Sequence, residues 1–314
     1  MLYGHLLVIS EDPDDIKFAK YLAATNTLPF DVTTDPKKIK DILIEFPATI
    51  VLWNIRGEAL FKKTQEPLTY FGSPARIFAI AAQAVSKYPH LANCRSYGHL
   101  LRNRYEKPAP LVCSKLIQAS LVTQRFGLLR FFPGLTKSQK ISITKSTQKG
   151  PAVEAVQSFL VKKGITPRLC AQAAKAVDEL VMNAIFDAPV LDGAYFRRAI
   201  PRNAEFDLEK NEIVEIEVAE AQQYVGISVS DTYGSLKKSV LQGFLALDYQ
   251  DQKYVVKKSD PSAGLGVHGI AQSGISLLFV SQPGKRTEAM IFFPRAKTFR
   301  EFRESFHFVS ILSE

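Results

Sequence analysis

Two hydrophobic rhythms divide this chain of 314 residues. Near its start, His5-Leu6-Leu7-Val8-Ile9, Phe30-Asp31-Val32 and Thr49-Ile50-Val51-Leu52-Trp53 are short apolar runs that read as strands. Between them, Asp14 to Ala24 and Pro36 to Phe46 read as helices, and strands alternating with helices predict a doubly wound parallel sheet. Beyond residue 70 the rhythm blurs, and no fourth or fifth strand is placed. In the second half, residues 211–218 and 223–230 largely alternate apolar and polar side chains, which predicts a β-hairpin across Ala219-Glu220-Ala221-Gln222. A last hairpin, Ile275 to Val280 and Thr287 to Phe293, turns at Pro283-Gly284-Lys285-Arg286. The fold class predicted is α/β.

A helical pattern lies ahead of these hairpins. Val177, Leu180, Val181, Ala184 and Ile185 make one apolar face, while Glu179, Asn183 and Asp187 follow one another at four-residue spacing on another. Such a stripe is commonly a solvated face. It also suits a nucleotide carrying Mg²⁺: Asn183 offers a neutral oxygen to a hard cation, and Glu179 can orient or deprotonate a nucleophile beside the phosphate.

Downstream residues add to that picture in order. The second hairpin strand ends at Asp231, followed by Thr232-Tyr233-Gly234-Ser235, a carboxylate at a strand end with Gly234 tolerating unusual backbone angles. A buried aspartate there can accept a hydrogen bond from an adenine amino group. Farther on, Ser262-Ala263-Gly264-Leu265-Gly266-Val267-His268-Gly269-Ile270 opens what reads as a short helix, and such a turn lets backbone N–H groups approach phosphate oxygens.

Over roughly residues 150–295 the chain resembles the GHKL (Bergerat-fold) ATPases, histidine-kinase-like domains that include the anti-sigma-factor serine kinases. Glu179 and Asn183 match that family's Glu-x-x-x-Asn box. The resemblance implies a base or water-orienting role for Glu179 and Mg²⁺ ligation for Asn183. It also implies adenine recognition by Asp231, with Gly234 beside it, and closure of a lid at Gly264, Leu265 and Gly266. Thr287 would help fix the adenine-side water network. Three departures bear on activity. Tyr233 and Ser235 stand where glycines are usual, so adenine packing must differ locally. Phe186 stands where many sensor kinases have a basic residue, and Asp187 beside it would repel phosphate unless Mg²⁺ or a lysine intervenes. Ser262 replaces the first lid glycine, and Lys237, Lys238, Lys253, Lys257 and Lys258 are candidate phosphate partners or simply solvated.

The N-terminal pattern resembles a response-regulator receiver over about its first 90 residues, that is, a flavodoxin-like module. Glu11 and Asp12 would mimic the acidic pair that binds Mg²⁺ there, or merely cap a helix. Asn54 occupies the position of the phosphate-accepting aspartate. An amide forms no acyl phosphate, so the resemblance implies a pseudo-receiver that docks or relays by contact.

Charge and composition refine the reading. Residues 95–168 hold fourteen Lys/Arg against Glu106 and Glu154, a net of +12 against +9 for the whole chain. With Tyr97, Tyr105, Phe126, Phe131 and Phe132 interleaved, that stretch would suit nucleic acid or an anionic surface, or serve as a solvated linker facing acidic partners. Cys94, Cys113 and Cys170 lie far apart without metal-ligand spacing and read as buried reduced thiols of a cytoplasmic protein. No apolar stretch approaches the length of a membrane span. No histidine fits a sensor-kinase phosphoacceptor.

The expected organisation is therefore a receiver-like domain over 1–125, a basic linker over 126–150, an ATP-binding two-layer α/β sandwich over 151–296, and an amphipathic tail over 297–314. The leading functional expectation is a signalling protein using ATP and Mg²⁺ as a serine/threonine-kinase-like or ATP-dependent switch on a protein partner, with a homodimer left open. A non-catalytic pseudokinase scaffold and a nucleic-acid-associated ATPase are the alternatives.

Overall fold

The computed structural model describes residues 4–82, 88–91, 94, 96–102, 109–122, 126–131, 138–191, 194–221, 224–236 and 265–313. Contacts divide the chain into two compact units, residues 1–125 with 305–312 and residues 126–304 with 313–314.

In the first unit, β1 (His5–Ile9), β2 (Phe30–Val32), β3 (Thr49–Asn54), β4 (Ile77–Ala81) and β5 (His99–Arg102) are parallel neighbours in the order 2-1-3-4-5. That is the flavodoxin-like doubly wound order. Every residue of β1 and β3 is buried, as strands covered on both faces require. The strands are flanked by α1 (Pro13–Asn26), α2 (Pro36–Glu45), α3 (Glu58–Phe71) and α4 (Ala109–Leu121). α1 packs with α4 and α2 with α3. α1 and α2 begin alike for a local reason. The Asp12 and Asp35 side chains accept from the N–H groups of Asp14 (2.8 Å) and Lys37 (2.9 Å), and Pro13 and Pro36 occupy first-turn positions whose N–H would go unused.

The second unit contains α5 (Leu128–Phe131), β6 (Ser138–Ile143), α6 (Lys149–Lys162) and α7 (Pro167–Met182), the last extended by a π turn at Asn183–Asp187. A small hairpin, β7 (Val190–Leu191) and β8 (Ala194–Tyr195), precedes β9 (Val214–Glu220), β10 (Tyr224–Asp231), α8 (Leu265–Gln272), β11 (Ser276–Gln282) and β12 (Arg286–Pro294). Its sheet is antiparallel, in the order β11-β12-β10-β9-β6. α6 and α8 pack on α7, and α7 with its π turn packs on β10. Strand periodicity puts Val225, Ile227, Val229 and Asp231 on one face of β10 and Ser228 and Ser230 on the other. Both faces are buried. α5 packs on β9 and β10, and just before it the Gly127 N–H donates to the buried Glu288 carboxylate at 2.7 Å.

Residues 126–150 are thus no linker. They supply α5, the edge strand β6 and the start of α6. β6 looks linker-like because five of its six residues are not buried, and Lys140 on that edge pairs with Glu215 at 2.8 Å. Lys145 pairs with Asp207 (3.3 Å), Lys149 with Asp178 (2.5 Å) and Lys163 with Glu220. Part of the positive excess of residues 95–168 is therefore balanced inside this unit.

The tail is divided between the two units. A short helix, α9 (Phe299–Glu304), belongs to the second unit, whereas β13 (His307–Ser313) pairs antiparallel with β5 of the first, His307 opposite Arg102 and Ser310 opposite His99. Its aromatic residues Phe306 and Phe308 are buried. Cys94, Cys113 and Cys170 are buried. Among the described residues no helix is long and apolar enough to cross a membrane, and no cluster of His, Cys, Asp and Glu could hold a metal ion.

Candidate functional site

Glu179 lies on the last turn of α7, and Asn183 opens the π turn that follows. Single π turns within helices frequently mark functional positions. The apolar face read from the sequence is buried here: Val177, Leu180, Val181, Ala184 and Ile185 lie in the core. Glu179 itself is half-buried. Burial, then the charges of Asp187 and Asp178, hold its carboxyl above the usual range, while Arg202 and a hydrogen bond with Asn183 pull the other way. A raised carboxyl is better matched to proton uptake near neutrality.

Gly266, the second residue of α8, is packed against this carboxylate. A Cβ on Gly266 would lie 1.8 Å from Glu179 Cδ and Oε1, so a side chain there would require the Glu179 carboxylate to move. Glu179 therefore meets the start of α8. Leu265 is the first residue of that helix. Gly264 lies outside the described residues, as do Ser262, Lys237, Lys238, Lys253, Lys257 and Lys258, and also Tyr105 and Phe132 of the basic stretch.

A second group of expected residues meets at the end of β10. Asp231 is 6 % exposed and pairs across the sheet with Thr287. Its Oδ1 accepts from the N–H groups of Tyr233 (2.8 Å) and Gly234 (3.3 Å). Thr287 Oγ1 is buried and makes no hydrogen bond of standard geometry, although the hydroxyl lies close enough to help hold the Asp231 carboxylate. Burial nevertheless dominates and pushes Asp231 from the ordinary 3.8 up to about 6. Gly234 has φ +60°, and a Cβ there would fall 2.0 Å from the Gln282 carbonyl oxygen, which locks this turn onto the β11–β12 hairpin.

The raised Asp231 has a consequence for stability. Between about pH 4 and pH 6 the folded chain binds more protons at this site than the unfolded chain, so stability falls as pH rises through that window. By neutrality the ionised group costs about 3 kcal/mol, at about 1.4 kcal/mol per pKa unit. Asp231→Asn keeps the acceptor oxygen and removes the charge. Urea unfolding of this variant is expected to show a gain of that order at pH 7 and almost none at pH 4. An equal difference at both pH values would contradict the assignment.

Tyr233 anchors the turn that follows Asp231. Its hydroxyl donates to Glu212, which also accepts from Arg197, and both members of that ion pair are buried. Burial alone would raise Glu212, but these hydrogen bonds outweigh it and hold the carboxyl below its usual range. Burial, then Glu212, pushes the Tyr233 phenol up. The turn after Asp231 is thereby tied to a buried network.

Asp187 does not stand as a bare negative charge. Arg202 Nη2 donates to both of its oxygens, at 2.7 and 3.0 Å, and Arg198 Nε lies 3.9 Å away. The sequence reading anticipated Mg²⁺ or a lysine in this role and missed the arginines. The run Phe196-Arg197-Arg198-Ala199-Ile200-Pro201-Arg202 has no hydrophobic period to place it, and its charge density was the only signal.

In the first unit, Ser10, Asp12, Asp15, Asn54 and Arg56 form a hydrogen-bonded cluster at the end of β1 and β3. Asn54 Nδ2 donates to Asp15 Oδ2 at 2.9 Å and Ser10 Oγ at 3.1 Å. Arg56 donates through Nη1 to Asp12 Oδ2 at 3.0 Å and through Nη2 to both oxygens of the fully buried Asp15. The second carboxylate of this cluster is Asp15, whereas Glu11 accepts from Thr34 at the surface. Asp12 both caps α1 and faces Arg56.

No protein-family model matches the chain, and no curated protein matches it by sequence. Among solved structures, a chain of the SiaB–SiaC complex from Pseudomonas aeruginosa is similar over 48% of this chain and 88% of its own, at 13% identity and a TM-score of 0.32. Likeness at that level carries no argument about function.

Proposed function

We propose that the second unit binds ATP with Mg²⁺ and works as a kinase-like or ATP-dependent regulatory switch on a protein partner. The observation that carries this reading is the buried Asp231 carboxylate, held by two backbone N–H groups beside a Thr287 hydroxyl without a standard partner. A buried acid with a raised pKa is costly to keep, and such groups cluster at functional sites. An adenine amino group would donate to it. Asn183 would offer its amide oxygen to Mg²⁺, which when bound would neutralise phosphate charge. Glu179 would accept the proton of a partner's hydroxyl, and the start of α8 at Gly266 would present backbone N–H groups to phosphate oxygens.

The first unit is proposed to act by contact. Asn54 provides no acyl-phosphate acceptor, and Arg56 supplies a positive charge beside it.

Mg²⁺·ATP is expected to raise the melting temperature of the chain, because a ligand specific for the folded state stabilises it by mass action, and EDTA should cancel part of the gain. Glu179→Ala is expected to retain ATP yet lose phosphate transfer to a partner protein by at least about a hundredfold. Equal transfer by that variant would remove Glu179 from the assigned role. Absence of any nucleotide effect on wild type would leave a non-catalytic binding module.

A further inference from the structure

We propose that Ser281 is a base-recognising residue of the nucleotide site, its hydroxyl donating to a ring nitrogen of adenine in one row with Asp231 and Thr287. The inference rests on the ATP-binding reading above and extends its base subsite onto a further strand. Thr287 of β12 pairs directly with Asp231 of β10 on one side and with Ser281 of β11 on the other. Directly opposed residues of antiparallel strands project from the same face of a sheet, so the carboxylate and the two hydroxyls form one polar line across these strands. Asp231 is the last residue of β10, Ser281 the penultimate one of β11 and Thr287 the second of β12, which puts the line at the rim of the sheet. The next row inward, Val229, Ala289 and Phe279, is apolar and buried.

The row lies on the face that serves the site. Glu288, next along β12 from Thr287, points to the opposite face, where it accepts from the Gly127 N–H at 2.7 Å just ahead of α5. α5 and α7 both pack on β10, so the row is on the α7 side, the side of Glu179 and Asn183. Ser281 is 6% exposed and Thr287 5%, and neither Ser281 Oγ nor Thr287 Oγ1 makes a hydrogen bond of standard geometry. A buried hydroxyl without a partner destabilises a fold, and here two stand side by side next to a buried acid. Together the three groups match the edge of adenine. Its amino group donates to a carboxylate, while its ring nitrogens N1 and N3 only accept and so require donors, which the hydroxyls supply.

The test titrates wild type and Ser281→Ala with the Mg²⁺ complexes of ATP, 1-deaza-ATP and 3-deaza-ATP, and melts both proteins without nucleotide. Alanine keeps the shape of the site and removes only the hydroxyl. Ser281→Ala should bind ATP about fivefold more weakly, the worth of one neutral hydrogen bond. It should melt no lower than wild type, because the hydroxyl it removes has no partner in the free protein. Wild type should bind at least one of the two deaza analogues about fivefold more weakly than ATP, and Ser281→Ala should bind one such analogue as wild type does. Unchanged ATP affinity in Ser281→Ala, or wild type that binds both analogues as tightly as ATP, would overturn the proposal while ATP binding stands. Equal weakening of ATP and both analogues in the variant, or a lower melting temperature of the free variant, would also overturn it by marking the hydroxyl as structural. A wild-type chain that binds no nucleotide removes the underlying reading too.

Discussion

Arg56→Met is expected to cost the first unit about 3–5 kcal/mol, the usual penalty for leaving a buried charge without its partner. Asp15 is fully buried, and Arg56 Nη2 donates to both of its oxygens. Ser10 Oγ and Asn54 Nδ2 also donate to Asp15, at 2.5 and 2.9 Å, but neither neutralises it. Arg56 further braces the cluster through its backbone N–H to Asn54 Oδ1 at 3.0 Å, a bond that methionine keeps. The loss should therefore trace to charge rather than to backbone geometry. Urea unfolding monitored in this unit checks the magnitude, and adding Asp15→Asn should recover at least half of the loss. A cost below about 1 kcal/mol would place Arg56 among ordinary surface ion pairs.

Gly234→Ala should be the most damaging single-methyl addition in the second unit. The residue sits at φ +60°, where a side chain costs roughly 1–2 kcal/mol. Its Cβ would also fall 2.0 Å from Gln282 O and 2.9 Å from the backbone nitrogens of Lys285 and Arg286. These are backbone atoms of a tight hairpin turn, so they yield only if the hairpin moves, adding about 1–3 kcal/mol of overpacking strain. The expected total is roughly 2–5 kcal/mol in chemical unfolding. Under the proposed function the variant also weakens nucleotide binding, because the Gly234 N–H is one of the donors that hold Asp231. Wild-type stability in Gly234→Ala would show that the turn is not locked onto the hairpin. The contrast is Gly266, where the opposing atoms are the end of the Glu179 side chain, which can swing away.

Legibility in the sequence followed the physics of each element. α1 and α2 were readable because Asp-Pro at their starts is a local signal, and β1 and β3 because both are short runs of buried apolar residues. The α7 stripe and the strands ending at Asp231 and beginning near Thr287 were readable from period alone, and the structure brings Asp231 and Thr287 directly opposite. β4 and β5 were missed although β4, like β1, is a fully buried run of five residues, and β5 carries only four. β6 was missed because an exposed edge strand resembles a polar linker. The partners that set the chemistry were harder still. Arg56 reaches acids 44 and 41 residues away, and Arg202 reaches Asp187 across the whole β7–β8 hairpin. No local periodicity encodes such encounters, so pairing of charge in three dimensions had to come from the fold.

The central claim is that one site on the second unit joins Asn183 and Asp231 to Mg²⁺·ATP. Isothermal titration of the wild-type chain with Mg²⁺·ATP, repeated on Asn183→Ala and Asp231→Asn, tests it most directly. The account predicts saturable binding to wild type, at least about tenfold weaker binding in each variant, and loss of the Mg²⁺ dependence in Asn183→Ala. No heat of binding to wild type, or equal binding by all three proteins, would contradict it.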